Sequence, residues 1–366
     1  MFPRPFISLL LLLTAVACES GQNEPNDSGP GADTAIREFD QNKLGDSEDA
    51  TDTDAGESGD NESSDSEPGA DVRSNPDADA NISIACGEIP NPNAEWIQSF
   101  QKSIIEVLAG EKEISAGQIL SDRATAENRK LSRYYLQLLW VELGFKAQFQ
   151  EYDYQHVISL EIDNGYNIYS KLDATEPSAN TYVIGAHYDS VPGGPGANDN
   201  ATGVAVVYSV ARYLATLPCR KASVVFVLFD QEELGLVGSR HFAQWLSDEQ
   251  NAIIAVHTVD QMGWDKDGDR AIELERPDQG LYEFYRAAVE AGGFSISLIR
   301  TETGSTDHVP FREHGFKSIG LTEEFISGDT TPYIHESRDT FETVDFEYTR
   351  STTALINYAF ARALTH

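Results

Sequence analysis

The sequence predicts an α/β fold whose central sheet is covered by helices on both faces. Short, continuously apolar runs alternate with helical periodicities through the later three quarters of the 366-residue chain, and unbroken apolar strands mark a sheet buried on both sides. Polar residues with chemical potential recur just after these runs, where open α/β sheets collect ligands beyond the carboxyl ends of their strands. The stretch from Ser83 to His366 has 284 residues, enough for one large domain that buries roughly 75% of its unfolded surface.

The elements follow in order. Ala126 to Leu143 reads as a long helix, with Leu131, Tyr135, Leu138 and Leu139 at helical spacing. Thr125 stands where an N-cap oxygen belongs and Gly144 where the chain leaves the helix. Tyr182 to Ala186 (YVIGA) is a short buried strand and Thr202 to Leu217 a helix. Val224 to Phe229 (VVFVLF) is a second strand, followed by a helix through Gly238 to Leu246. Ile253 to Val259 is a third strand, Leu281 to Ala291 a helix and Ser318 to Leu321 a fourth strand. No internal repeat is visible.

The N-terminal quarter has another composition. Residues 1–18 (MFPRPFISLLLLLTAVAC) carry one early positive charge, Arg4, then an apolar run and small residues leading to Cys18. This is the pattern of a secretory signal, too short for a stable bilayer span. Ala15 to Cys18 resembles a bacterial lipobox, with Ala15 where Leu is commoner, so Cys18 is a candidate for lipidation. From Glu19 to Ile82 there are 19 acidic and three basic residues, 12 hydrophobic ones and a single aromatic, Phe39. So little apolar surface cannot offset the entropy of ordering, and residues 19–85 read as an acidic, disordered linker ahead of a domain at 86–366. With 60 acidic and 26 basic residues, the chain's formal charge is −34. That excludes a phosphate-tracking groove for nucleic acid, and adhesion to anionic membranes by charge, leaving Cys18 as the one route to a membrane. Cys86 and Cys219 make an even pair in an oxidising compartment, as a disulfide or as two buried thiols.

Past the strand ends lie His187-Tyr188-Asp189, then Asn198-Asp199-Asn200 after the glycine-rich turn VPGGPG, then Asp230-Gln231-Glu232-Glu233, Asp260, Thr322-Glu323-Glu324 and finally Tyr333-Ile334-His335. A carboxylate after a strand is ordinarily a helix cap or a solvated turn, and a lone histidine a structural residue. Five such placements on one sheet edge, a His, an Asp, a Glu, an Asp and a His in chain order, point to chemistry. The ordered set His187-Tyr188-Asp189, Asn198 to Gly203 (NDNATG), Phe229 to Gly235 (FDQEELG), Asp260 to Gly263 (DQMG) and His335 resembles the M28 family of di-zinc peptidases. Gly238-Ser239, Asp307-His308 with Phe311 and Gly315, and Asp339-Thr340 support it, and the resemblance spans about Cys86 to His366.

The resemblance implies a mixed, mostly parallel central sheet sandwiched by helices, of the zinc-peptidase or phosphorylase/hydrolase-like kind. It implies two Zn2+ ions, with Co2+ or Mn2+ able to replace them: His187 and Asp260 on one, Glu233 and His335 on the other, and Asp199 bridging both. Glu232 is then the general base and acid, Asp189 orients His187, and the Asp199-Asn200 peptide is cis. The residue types suit that chemistry. Two cations roughly 3.5–4 Å apart lower the pKa of a shared water and stabilise the attacking and departing oxygens, and imidazole with carboxylate suits zinc. Adjacent Glu232 and Glu233 point differently, so one is free to move a proton while the other holds metal.

The expected activity is an exported exopeptidase, an aminopeptidase acting on peptide or protein N-termini, secreted or tethered at the periplasmic or cell surface. A carboxypeptidase of the same family and a single-zinc glutaminyl cyclase are the alternatives, with a non-catalytic binding module behind them. Asp265 to Asp269 (DKDGD) reads as a solvated turn, since it departs from the twelve-residue calcium loop, and His257 as a packed core residue. His308 and Tyr333 are candidates for substrate contact or structural support, and Glu323 and Glu324 for recognition of a substrate amino group.

Overall fold

A computed structural model of the chain describes residues 85–366 apart from 157–159, 250–251 and 303. The signal-like segment 1–18, its Cys18 and all of the acidic stretch but Ala85 lie outside the described residues. The helices are α1 (Trp96–Leu108), α2 (Ala126–Glu142), α3 (Gly203–Ala215), α4 (Val237–Asp248), α5 (Gln279–Gly292), α6 (His308–Glu313) and α7 (Phe346–Thr365). The strands are β1 (Gln148–Gln155), β2 (Ile162–Leu172), β3 (Thr181–His187), β4 (Ser223–Phe229), β5 (Ile253–Val259), β6 (Ile272–Glu275), β7 (Leu298–Thr301) and β8 (Ser318–Thr322).

They form a single mixed sheet in the order β1-β2-β4-β3-β5-β8-β6-β7. Its centre, β4-β3-β5-β8, is parallel, while β1, β2 and the β6–β8 pairing are antiparallel. The α/β prediction with a mixed sheet therefore holds.

Strand β4 shows why these runs become two-faced strands. Val224, Phe226 and Leu228 pack into the larger core with α1, α2, α3, α5 and α7, while Val225, Val227 and Phe229 pack into the smaller core with Phe242 and Leu246 of α4 and Phe311 of α6. Successive side chains alternate faces, so a run apolar at every position fills both. Helix α2 begins as its cap predicts, the Thr125 hydroxyl accepting from the Asn128 amide at 3.2 Å, and it ends at Gly144 with φ +80°. Cys86 and Cys219 form a disulfide with Cα atoms 5.3 Å apart, joining the start of the described chain to the loop after α3. No helix among the described residues is long and apolar enough to cross a membrane.

The parallel centre places the carboxyl ends of β3, β4, β5 and β8 on one edge, where the polar tails of the apolar runs meet.

Candidate metal centre and active site

His187 closes β3, and Asp199 lies in a kinked segment, Ala197–Thr202, between β3 and α3, where Asp199 and Asn200 leave helical φ/ψ. Glu232 and Glu233 follow β4, Asp260 follows β5 directly, and His335 lies in the loop after β8. The structure brings all six together. His187 Nε2 lies 3.2 Å from Asp199 Oδ1 and 3.4 Å from Asp260 Oδ1. His335 Nε2 lies 3.3 Å from Asp199 Oδ2 and 3.1 Å from Glu233 Oε2. Asp199 thus turns one oxygen to each histidine, giving two donor sets, His187–Asp199–Asp260 and Asp199–Glu233–His335, with the donor atoms of each set within 4.8 Å of one another.

These donors fit cations. Both ring nitrogens of His187, Glu233 Oε1 and Asp260 Oδ1 are buried without a hydrogen-bond partner, and orphaned buried polar atoms are rare unless something else engages them. The electrostatics agree. Burial pushes the Glu232 carboxyl well above its ordinary range, with Asp307, Asp260 and Asp189 adding to the rise and His187 opposing it. Burial takes Glu233 up to about 8, reinforced by the Asp199 carboxylate. Burial disfavours a charged His187, yet Asp260 and Glu232 hold its pKa well above the usual imidazole value. The hydrogen-bonding contact with Asp199 raises His335 to about 9. So many carboxyls in so little space lack positive charge, and mixed imidazole and carboxylate donors are those zinc accepts.

The donors are held by neighbours that take up backbone amides. Asp339 accepts from the amides of Asn198 at 2.8 Å and Asp199 at 3.0 Å. The Asn200 side chain donates to the Val259 carbonyl at 2.8 Å and accepts from the Gly203 amide at 2.9 Å, fixing the segment whose Asp199-Asn200 peptide is cis. Only glycine serves at 196: its φ is +64°, and a Cβ there would sit 2.5 Å from the Asp199 carbonyl oxygen. The fully buried Arg123 donates to the carbonyls of Tyr188 (2.6 Å), Leu108 (2.8 Å), Pro195 (2.6 Å) and Gly196 (2.9 Å), clamping the glycine-rich turn from below.

Asp189 has a wider role than the sequence suggests. Its Oδ1 is 3.4 Å from His187 Nδ1, while its two oxygens accept from the Glu232 amide at 3.0 Å and the Glu233 amide at 3.2 Å. One carboxylate therefore orders the ends of two strands. Gln231, Gln261 and His335 take positive φ values of 58°, 45° and 59°, unfavourable for residues with a Cβ and typical of strain held at functional sites.

A cleft of about 290 Å3 opens over this centre, lined by Asp199, Glu232, Glu233, Asp260 and His335 and by Leu236, Glu275, Phe325 and Ile334 among others. The expectation for Glu323 and Glu324 is corrected here, while His308, Tyr333, His257 and Asp265 take structural places. Glu323 does not face substrate: it is fully buried and accepts from Asn198 Nδ2 (2.9 Å), Thr330 Oγ1 (2.8 Å) and the Thr331 amide (2.7 Å). Glu324 groups instead with Asp267 and Asp329. Neither His308 nor Tyr333 lines the cleft; His308 is fully buried, and Tyr333 packs edge-on against Trp264 under Arg338. His257 is a core residue bonded to the Tyr285 hydroxyl at 2.9 Å, and Asp265 caps its own turn through the Gly268 and Arg270 amides. Arg123 has no visible signal in the sequence, because a lone arginine before a helix reads as solvated.

The sequence profile of peptidase family M28 matches residues 167–360. A stretch of 190 residues is 36% identical to aminopeptidase YwaD of Bacillus subtilis, covering 50% of this chain and 40% of that protein. Over 161 residues the chain is 32% identical to the probable lipoprotein aminopeptidase LpqL of Mycobacterium tuberculosis, covering 40% of this chain and 32% of the relative. The chain thus spans less than half the length of either. The structure of BSAP, a zinc aminopeptidase from Bacillus subtilis, superposes with a TM-score of 0.51 at 29% identity over 57% of this chain and 51% of that one.

Proposed function

The chain belongs to peptidase family M28, and from that premise we propose that it is an exported zinc aminopeptidase acting on the free N-termini of peptides. The observation that carries this reading is the pair of donor sets sharing Asp199. His187, Asp199 and Asp260 would hold one zinc and Asp199, Glu233 and His335 the other. Bound there, the ions supply Lewis acidity and make water acidic enough to be activated near neutral pH.

The chain's own groups do the rest. Glu232 takes the proton of the attacking water and delivers it to the departing amine, so the peptide C–N bond breaks with no covalent intermediate. Its amide is pinned by Asp189, which fixes where the side chain starts. Asp339 and Arg123 hold Asp199, shared by the two donor sets, and the turn before it, preserving the spacing of both sets. Export is supported by the signal-like residues 1–18 and by the Cys86–Cys219 disulfide, stable in oxidising compartments. Cys18 would carry a lipid anchor, with residues 19–85 as an acidic spacer to the domain at 86–366.

The test is hydrolysis of free and N-blocked peptides and amino acid anilides by the zinc-loaded protein, alongside Glu232→Gln. Cleavage of free N-termini only, lost by about 10²–10⁴-fold in the variant while two zincs per chain stay bound, is the expected result. Cleavage of blocked peptides from the other end would make it a carboxypeptidase, and cyclisation of N-terminal glutamine with one zinc bound would make it a cyclase.

A further inference from the structure

Five carboxylates line the cleft: Asp199, Glu232, Glu233, Asp260 and Glu275. The first four fall into the candidate metal groups, and Glu275 falls into none of them. It ends β6 opposite Gly320 of β8, and a Cβ on Gly320 would meet Glu275 Oε2 at 2.3 Å. The carboxyl therefore lies across a glycine that leaves it room and is only 3% exposed. Its Oε2 accepts from Thr306 Oγ1 at 2.8 Å and lies 3.4 Å from His308 Nδ1.

The carboxylate is under-compensated. Burial pushes its pKa up to about 7; the Thr306 hydrogen bond and the Arg276 charge oppose the rise, and the Asp260 and Glu273 carboxylates add to it. Its neighbour Arg276 acts on it only through space, its Nε donating instead to the Glu302 carbonyl at 2.7 Å. A buried charge with so few partners is costly unless a counter-charge arrives. The same cleft presents apolar surface on Leu236, Phe325 and Ile334, and Phe325 is 40% exposed. An anionic floor beside apolar walls fits a long side chain with an apolar stem and a cationic head.

We propose that Glu275 is a specificity-determining residue that receives the ammonium or guanidinium of a basic first residue, lysine or arginine, while Leu236, Phe325 and Ile334 pack its stem. This rests on the aminopeptidase reading for its reaction, and on the cleft alone for its binding. The competing role for Glu275, capture of the substrate's α-ammonium, would serve every N-terminal residue equally.

The experiment measures zinc-loaded full-length protein, wild type and Glu275→Gln, on lysine, arginine, leucine and methionine p-nitroanilides, and by calorimetry on lysinamide and leucinamide. Wild type should prefer the basic substrates. In Glu275→Gln, kcat/KM for lysine and arginine should fall at least tenfold, about 1.4 kcal/mol, while leucine and methionine stay within about threefold and so report an intact fold. Glu275→Asp, keeping the charge, should restore part of the preference. Lysinamide should bind wild type more tightly than leucinamide and lose that margin in Glu275→Gln. An equal loss on all four anilides, or no basic preference in either kinetics or binding, overturns the proposal. If no anilide is cleaved yet lysinamide binding depends on Glu275, the pocket assignment stands and the aminopeptidase reading falls.

Discussion

Replacing Asp189 by Asn tests whether one carboxylate sets the geometry of the whole centre. The wild-type side chain accepts two amide hydrogens, from Glu232 at 3.0 Å and Glu233 at 3.2 Å, and approaches His187 Nδ1 at 3.4 Å. Asparagine keeps one acceptor and turns an NH2 group toward the other donor. The loss is one charge-assisted hydrogen bond, about 1.5–3 kcal/mol, together with a buried amide left unpaired at about 1–3 kcal/mol. Partial relaxation places the sum near 3 kcal/mol, about 5 °C in midpoint for a domain of this size. Displacement of Glu232 and Glu233 by even about 1 Å is worth about 10²-fold in rate, and a misoriented histidine about 10–100-fold in metal affinity. Calorimetric melting, zinc titration against a chromophoric chelator and anilide kinetics on one preparation read all three. Wild-type zinc affinity and activity in Asp189→Asn would refute the positioning role. Lost activity with unchanged melting and zinc binding would instead make Asp189 a direct participant in proton transfer.

Three further outcomes are expected. Breaking the disulfide by Cys219→Ser removes a cross-link between cysteines 133 apart in sequence, and chain entropy sets the loss at up to about 5 kcal/mol; the urea midpoint should fall on adding reductant in wild type, toward that of the variant, and should not respond to reductant in the variant. Burial holds the Glu323 carboxyl up to about 8, so the folded state binds the extra proton between about pH 4.5 and 8, and stability falls as pH rises through that window. Glu323→Gln should flatten that slope between pH 5 and 9, and parallel curves for the two proteins would show that Glu323 does not titrate there. Chelation should abolish activity and lower the melting temperature, with zinc restoring both at two ions per chain; full restoration at one ion would contradict the shared role of Asp199.

The parallel centre of the sheet was legible because β3, β4, β5 and β8 are apolar at nearly every position, a pattern that only burial on both faces produces. Strand β1 (QFQEYDYQ) escaped notice because it is a half-exposed edge strand with charged and amide side chains on its outer face. Strand β2 follows an exposed Ile162 with Asp, Asn and Gly, and its buried apolar side chains lie where it pairs with β4. Helix α1 has its apolar stripe, Ile97, Ile104, Ile105 and Leu108, but lies next to the acidic segment that dominates the composition there. Helix α7 carries Thr349, Ser351, Thr352 and Thr353, residues of modest helix propensity, and is held by packing against α1, α3 and α5.

By itself the sequence determined which residues could act, because histidines and carboxylates just past apolar strands are placed at one sheet edge by chain connectivity. Their order and local context also determined the family. The tertiary structure decided how they divide: that Asp199 turns one oxygen toward each histidine, that Asp189 ties two strand ends together, and that Asp339 and Arg123 hold the turn between them. It also decided that Glu323 serves the scaffold while Glu275, ending a strand the sequence hides, faces the cleft. The reason is physical. Connectivity fixes the end of a strand from local pattern alone, whereas the direction of a side chain and the partner it finds depend on residues far apart in sequence, brought together only when the sheet pairs and the helices pack on it.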